Sequence, residues 1–300
     1  MQRTTARAKR RPLSELNVID NFLFTTIMND PEHRIEFSEL ILSAIFGKKI
    51  SVLEVRAESV ITGPDTDRHG IRMDAYVERL PDGSEKTVIY DVEVETREED
   101  KSSLPRRNRY YTDLLDSHLL AAGENYRELR DLVTIFILSY DPFHSGCMVY
   151  QARTVIEDHP EEAYDDGILR LFLYTEGKPD RISEKYGPEL QHLLQYIHRS
   201  TDDNVVDSVT RQINAIVHST KTKREVSIEY MKRWELDEEL KEDGRREERK
   251  EVNALYRWLK EQGRVDDFDR GMADDAYFEK LMEEMWQKVP RVPPEPIPAS

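Results

Sequence analysis

The sequence has little cysteine, no long apolar run and a deficit of positive charge. Cys147 is the only cysteine among 300 residues, so an intramolecular disulfide and a cysteine-built zinc site are both excluded. No window approaches the roughly 20 consecutive apolar residues that a bilayer-spanning helix needs. The basic start of the chain, from Arg3 to Arg11, is followed by Pro12 and polar residues instead of the apolar segment of a secretory signal. We therefore expect a cytoplasmic protein without a membrane segment.

The charge balance limits how this chain could meet nucleic acid. Lys and Arg number 44 against 60 Asp and Glu, which gives a formal net charge of −16. Such an excess of negative charge argues against a protein that coats nucleic acid through bulk electrostatics, although a local basic groove stays compatible with it. The glycine-rich phosphate loops of nucleotide-binding proteins and the HExxH motif of zinc proteases are absent from the sequence.

Composition along the chain predicts four segments. Residues 1–16 are a basic arm that we expect to be disordered, and residues 17–180 form the main domain. Residues 181–288 form a charged helical extension, and 289–300, with five prolines, an extended and disordered tail.

The period of the apolar residues predicts an α/β fold. Between Val18 and Phe46 apolar residues recur at steps of three and four, which predicts two helices separated near Pro31 and stopped at Gly47. The period then falls to 2, which is typical of strands. The predicted elements that follow are strands 52–61, 71–80 and 86–95, helix 104–122, a buried strand 132–140, and edge strands 148–156 and 168–174.

Three carboxylates share one face of the third strand. Asp91, Glu93 and Glu95 alternate with valines, so a period of 2 places all three on the same side. Neighbouring carboxylates there lie about 7 Å apart and repel by roughly 2 kcal/mol at an effective dielectric constant near 20. Open water would screen most of this repulsion, whereas a half-covered face requires a positive group nearby.

Asp74 suggests that the acidic face binds a metal ion. The turn predicted at residues 81–84 folds strand 71–80 back on strand 86–95, which brings Asp74 near the register of Asp91 and Glu93. Oxygen donors without a cysteine suit Mg²⁺ or Mn²⁺. A solvated acidic face on an antiparallel strand is the competing interpretation.

A basic cluster begins the next helix. Arg106, Arg107 and Arg109 fall in its first turns, where the helix dipole favours anions. They therefore either face a phosphate or carboxylate partner or pair with the acids of the strand.

These segments together resemble a known family. The stretches IRMDAYVERLPDG, VIYDVEVE, LPRRNRYYTDLLDSHLLAAGENYREL and LVTIFILSYDPFHSG resemble the PD-(D/E)XK nuclease family transposases, also called recombination-promoting nucleases. The likeness covers about residues 17–180. It implies a restriction-endonuclease-like core of helix, three strands, helix and strand, followed here by a helical C-terminal extension.

The resemblance also assigns roles to residues. Asp74 matches the first acid of the family motif and Glu93 the second, so both would hold Mg²⁺ or Mn²⁺ as catalytic metal ligands. Glu95, the third catalytic position, stands where the superfamily has Lys; it would be a third metal ligand, or the site would be weakened. Arg107, Arg109 and Tyr111 match a basic and aromatic motif that would bind the phosphate of DNA.

The implied function is a metal-dependent DNA endonuclease that promotes recombination or transposition by hydrolysing phosphodiester bonds. The alternative is a catalytically inactive nuclease-like scaffold that binds DNA or another protein. An apolar seam after Val226 in the charged helices makes a homodimer a further expectation.

Overall fold

The computed structural model describes residues 10–61, 71–79, 88–98, 102–119, 125–178 and 186–289. Within these ranges, residues 56–61, 71–79, 118–119 and 237 are described by their backbone alone. Residues 1–9 of the expected basic arm, the turn predicted at 81–84 and residues 290–300 of the expected tail lie outside the described residues. The chain divides into two compact units, one up to Tyr230 and the other from Met231.

The helices and strands follow the predicted order. Gly47 adopts a left-handed conformation with φ of 62° and ends the second helix, as its lack of a β-carbon allows. The elements of the first unit are α1 (Asn21–Asn29), α2 (Arg34–Phe46), β1 (Val52–Ile61), β2 (Ile71–Arg79), β3 (Val88–Glu95), α3 (Ser103–Leu119), β4 (Asp131–Leu138), β5 (Val149–Ala152), β6 (Ile168–Tyr174), α4 (Pro188–His198) and α5 (Ser208–Thr222).

The strands form one mixed sheet, so the fold class is α/β. Their order across the sheet is β1-β2-β3-β4-β6-β5. The pairs β1–β2, β2–β3 and β5–β6 are antiparallel, whereas β3–β4 and β4–β6 are parallel. The prediction that residues 168–174 form an edge strand is wrong, because β6 lies between β4 and β5; the edge position belongs to β5, which is shorter than predicted.

The two faces of the sheet are covered differently. Alternate residues of β3, β4 and β6, such as Val92, Ile135 and Leu171, pack with α1, α2, α4 and α5 in the main core. The opposite residues of the same strands face α3. There, Leu114 and Leu115 pack on Ile89 and Leu132, and Leu104 packs on Phe136, Leu138 and Phe172. The acidic residues of β3 therefore lie on the face that α3 covers.

The second unit is helical. It contains most of α6 (Arg224–Glu261), α7 (Val265–Gly271) and α8 (Asp275–Lys288). Its core is formed by Leu255, Leu259, Leu281 and Met285, which are at most 2% exposed. Within the described ranges, none of the helices combines the length and the apolarity that crossing a membrane requires.

Candidate functional site

The acidic face of β3 is covered, not solvated. Asp91 is 1% exposed and Glu93 is 6% exposed, while Glu95 at the end of the strand is half-buried. The helix α3 excludes water from this face, so screening by solvent does not relieve the repulsion between the carboxylates. A compensating positive charge is required, as the sequence pattern indicated for a half-covered face.

Arg107 supplies that charge. Its Nη2 atom lies 3.5 Å from Oε2 of Glu93, and its Nη1 atom lies 3.5 Å from Oε2 of Glu95. The two ends of one guanidinium thus contact two carboxylates, a fork geometry that lysine cannot reproduce. Of the two alternatives drawn for the basic cluster, Arg107 follows the pairing with the strand acids.

Aromatic rings hold the guanidinium in place. The Cζ atom of Arg107 lies 5.4 Å from the ring centre of Phe136 and 5.8 Å from that of Tyr111. Both rings are within the range at which a cation is attracted to an aromatic face. Phe136 is fully buried in β4 directly beside Glu93 in the parallel ladder, so Arg107 is fixed between the sheet and its own helix.

Glu95 is tied to the backbone that leaves the strand. Its Oε1 atom accepts a hydrogen bond of 2.8 Å from the amide of Arg97, and its carbonyl oxygen accepts one of 3.1 Å from the amide of Ser139. One carboxylate oxygen thus closes the turn after β3, and the other contacts Arg107.

A polar network fixes α3 on the sheet next to these acids. Asn108, which is fully buried, donates a hydrogen bond of 2.7 Å from Nδ2 to the hydroxyl of Thr134. Its Oδ1 atom accepts a bond of 2.9 Å from Nε of Arg170. Asp91, Thr134 and Arg170 occupy equivalent positions of adjacent strands. Asn108 therefore locks α3 across β4 and β6, and it does so one residue after Arg107.

This network was not predicted from the sequence, although two signals for it exist. Thr134 is the one hydroxyl residue inside the apolar strand β4, and Asn108 stands among the residues of α3 that face the sheet, between Leu104 and Leu115. A polar residue at a core position of each element indicates that the two meet, because buried polar groups need partners.

The backbone of Asp74 lies in β2, next to β3. The described ladder pairs Tyr76 with Asp91 and Val77 with Tyr90 in antiparallel register. The same register continued by two residues leads from Asp74 to Glu93. The side chain of Asp74 lies outside the described residues.

The remaining predicted residues differ in their surroundings. Tyr111 is half-buried beside Arg107 and packs against Leu114, whereas Arg106 and Arg109 are exposed. The structure therefore brings together Glu93, Glu95, Arg107 and Tyr111, and it places Arg109 on the outer surface of α3.

A second acidic cluster lies at the turn between α1 and α2. The ligand atoms of Asp30, Glu32 and His33 lie within 4.8 Å of one another. Lys223 of the loop after α5 contacts both carboxylates, with its Nζ atom 2.5 Å from Oδ2 of Asp30 and 3.3 Å from Oε2 of Glu32. Burial raises the pKa of Asp30, but the hydrogen bonds from Lys223 and from the backbone of Glu32, with the charges of Lys223 and His33, together outweigh it, so this pKa lies below its ordinary value of 3.8. The ammonium group contacts both carboxylates and balances one of their two negative charges, which accounts for the closeness of these acids without a metal ion.

Comparison of this chain with protein-family models, with curated protein sequences and with solved structures finds no match. The resemblance described above therefore depends on the quoted residues alone.

Proposed function

We propose that this chain is a metal-dependent DNA endonuclease whose site is the acidic face of β3 under α3. The observation that carries the proposal is the burial of two acids of one strand, Asp91 and Glu93, beside the arginine-paired Glu95. Burying carboxylates in one place is costly, and a site of this kind is more often functional than structural. The arrangement of β1, β2, β3, α3 and β4 is consistent with the restriction-endonuclease-like core that the resemblance implies.

The donor set fits Mg²⁺ or Mn²⁺. Glu93 presents a carboxylate on the covered face, and we propose Asp74, whose backbone lies on the neighbouring strand, as the second ligand. Both are hard oxygen ligands, as these cations prefer. When bound, such an ion supplies Lewis-acid polarisation of a phosphate and a water of lowered pKa.

The chain's own residues would position the reactants. Arg107 holds the carboxylates of Glu93 and Glu95 together. It also provides a positive charge next to Glu95, which is the position at which the related motif has lysine. Glu95 is then a positioning residue, because its Oε1 atom is bonded to the backbone of Arg97 and its Oε2 atom contacts Arg107. The exposed Arg106 and Arg109 are suited to contact the phosphates of DNA.

The same ion pairs also favour the alternative function. Arg107 already neutralises Glu93 in part, so a cation would have to share this carboxylate with it. If the guanidinium keeps the acids from binding a metal, the fold is a catalytically inactive scaffold that binds DNA or a protein partner through α3.

Cleavage assays separate the two functions. Supercoiled and linear DNA are incubated with Mn²⁺ and with the wild type, Asp74→Ala, Glu93→Gln or Glu95→Lys, with Glu279→Gln on the exposed surface of α8 as the matched control. The nuclease proposal predicts nicking by the wild type and by the control, and its loss in the Asp74 and Glu93 variants. If the wild type and Glu95→Lys both leave DNA intact, hydrolysis is excluded as the function.

A further inference from the structure

The middle of the long helix α6 lies outside the candidate site and has an unusual surface. Every residue from 239 to 250 is exposed. Leu236 and Leu240 of this helix are 55% and 60% exposed, although leucine is normally buried. Residues four apart share one side of a helix, so Leu236, Leu240 and Gly244 form a continuous stripe.

Gly244, at the C-terminal end of this stripe, is not required by the chain's own packing. A β-carbon built on Gly244 would meet nothing within 4 Å, and its helical conformation requires no glycine. Glycine is among the poorest helix formers, so its presence here lowers the stability of an isolated helix. A glycine in a helix does allow the backbone of another helix to approach closely.

The charges around Gly244 are arranged in opposite order on its two sides. At distances of one, two, three and five residues from Gly244, the two residues carry opposite charges, whereas at four residues Leu240 stands against Glu248. The oppositely charged pairs are Glu239 with Arg249, Lys241 with Glu247, Glu242 with Arg246, and Asp243 with Arg245. Glu238, one residue further on, is buried and contacts Lys241 at 3.0 Å, so the exposed pattern begins at Glu239.

A helix with this pattern is complementary to an antiparallel copy of itself. In an antiparallel pair centred on Gly244, residues equally far from the centre meet at the same height, so the acidic half of each copy lies beside the basic half of the other. A parallel pair would place the acidic segments of the two copies side by side, which is repulsive. Side chains spaced by four residues form ridges along a helix, and two helices can cross with these ridges packed into each other's grooves. A glycine at the centre of such a row suits this crossing.

We propose that residues 236–250 of α6 form an interface with a second copy of this chain, antiparallel and centred on Gly244. The described salt bridges within the helix, Asp243 with Arg246 at 2.9 Å and Glu247 with Lys250 at 2.7 Å, are the competing explanation for the charge pattern, because such pairs also support a solitary helix. The two explanations predict different masses for the protein in solution, and they also differ in how that mass should depend on salt and on substitutions.

The first test measures the mass of the full chain by sedimentation equilibrium. A dimer is expected, with a dissociation constant that rises about tenfold between about 0.05 and 0.5 M salt as screening shortens the reach of the charges. The acidic variant Arg245→Glu with Arg246→Glu and the basic variant Glu242→Arg with Asp243→Arg should each be monomeric, whereas their mixture should form a one-to-one dimer. Arg257→Glu, further along the same helix, is the matched control and should remain dimeric.

The second test fixes the orientation by disulfide crosslinking in a Cys147→Ser background. Leu240→Cys mixed with Glu248→Cys should crosslink, because antiparallel copies place residue 240 opposite 248, and neither variant should crosslink with itself. Gly244→Leu should raise the thermal midpoint, because it improves the helix, and should abolish the dimer. A wild type that is monomeric at every concentration, a dimer unaffected by the charge reversals, or self-crosslinking of Leu240→Cys would each overturn the proposal.

Discussion

At the scale of single residues, the guanidinium of Arg107 balances two carboxylates of β3. It lies 3.5 Å from an oxygen of Glu93 and 3.5 Å from an oxygen of Glu95. Glu93 has 8% of its side chain exposed and Arg107 has 24%. Losing one partner of such a pair leaves a charge in a place that water reaches poorly, which costs more than the pair itself contributes.

We expect Arg107→Met to destabilise the protein by about 2 kcal/mol, less than the loss of a fully buried partner because Arg107 is partly exposed. Urea denaturation measures this loss. Added Mg²⁺ should recover part of it, because a cation at Glu93 replaces the missing positive charge. Arg109→Met, exposed on the same helix, is the control and should change stability by less than about 0.5 kcal/mol. A loss that Mg²⁺ leaves untouched would contradict a metal site at Glu93.

The contact between Lys223 and Asp30 makes the free energy of unfolding depend on pH in a defined direction. The lowered pKa of Asp30 means that its contribution to stability is present above its ordinary value of 3.8 and is lost as the pH falls through the lower folded value. We expect Lys223→Met to remove most of this contribution. The free energy of unfolding, measured between about pH 5 and 2, should then fall less steeply in the variant. Equal slopes for the variant and the wild type would refute this role for Lys223.

At the scale of elements, the position of α3 depends on one buried polar contact. Asn108 bonds both Thr134 and Arg170, so α3 has a fixed placement over β4 and β6. Apolar contacts alone, such as those of Leu114 and Leu115, are less directional. The polar contact therefore determines where Arg107 stands relative to Glu93.

We expect Asn108→Ala to cost about 1 to 3 kcal/mol, because it leaves the buried hydroxyl of Thr134 without its donor. Thr134→Val added to it should recover the part of that loss that comes from the hydroxyl, since replacing both partners by apolar groups removes this unsatisfied atom. The loss of the acceptor for Nε of Arg170 remains in both variants. A double-mutant cycle tests this, in which urea denaturation measures the free energy of unfolding of the wild type, the two single variants and the double variant. Purely additive losses would show that the two residues do not depend on each other.

The types of the elements could be predicted from the sequence better than their arrangement. Alternation of apolar residues predicted β1 to β3, and steps of three and four predicted α1 to α3, because burial of one face imposes these periods. A continuous apolar run predicted β4, because both of its faces are buried. The position of β6 inside the sheet was not predictable in this way. The chain forms β5 before β6, yet β6 pairs with β4 in parallel and leaves β5 outside it, and periodicity carries no information about which strands become neighbours.

At the scale of the whole molecule, the described helices divide between two cores. Helices α4 and α5 pack against the sheet in the first unit, while the residues from Met231 onward have a core of their own. The helical extension was expected to begin at residue 181, because the sequence becomes helical in character there. A change of period marks a change of element, but not a boundary between cores.

Only part of the candidate site could be predicted from the sequence, because the pattern indicates which residues share a face but not how one element packs on another. Alternation placed Asp91, Glu93 and Glu95 on one face, and the structure confirms this shared face. It also decides between the solvated and the covered interpretation, because Asp91 and Glu93 are buried. Which arginine of the cluster would turn inward depended on the placement of α3 on the sheet, which the sequence pattern does not specify. That Asp74 and Glu93 share a cation stays a prediction.

The central claim, that Asp74 and Glu93 bind one divalent cation, is tested most directly by calorimetric titration of the full chain with Mn²⁺. We expect uptake by the wild type and an affinity at least about tenfold weaker, or about 1.4 kcal/mol, in both Asp74→Asn and Glu93→Gln. Glu32→Gln, in the acidic cluster that Lys223 contacts, should bind as the wild type does. A wild type that takes up no Mn²⁺, or binding that survives both substitutions unchanged, would contradict the claim.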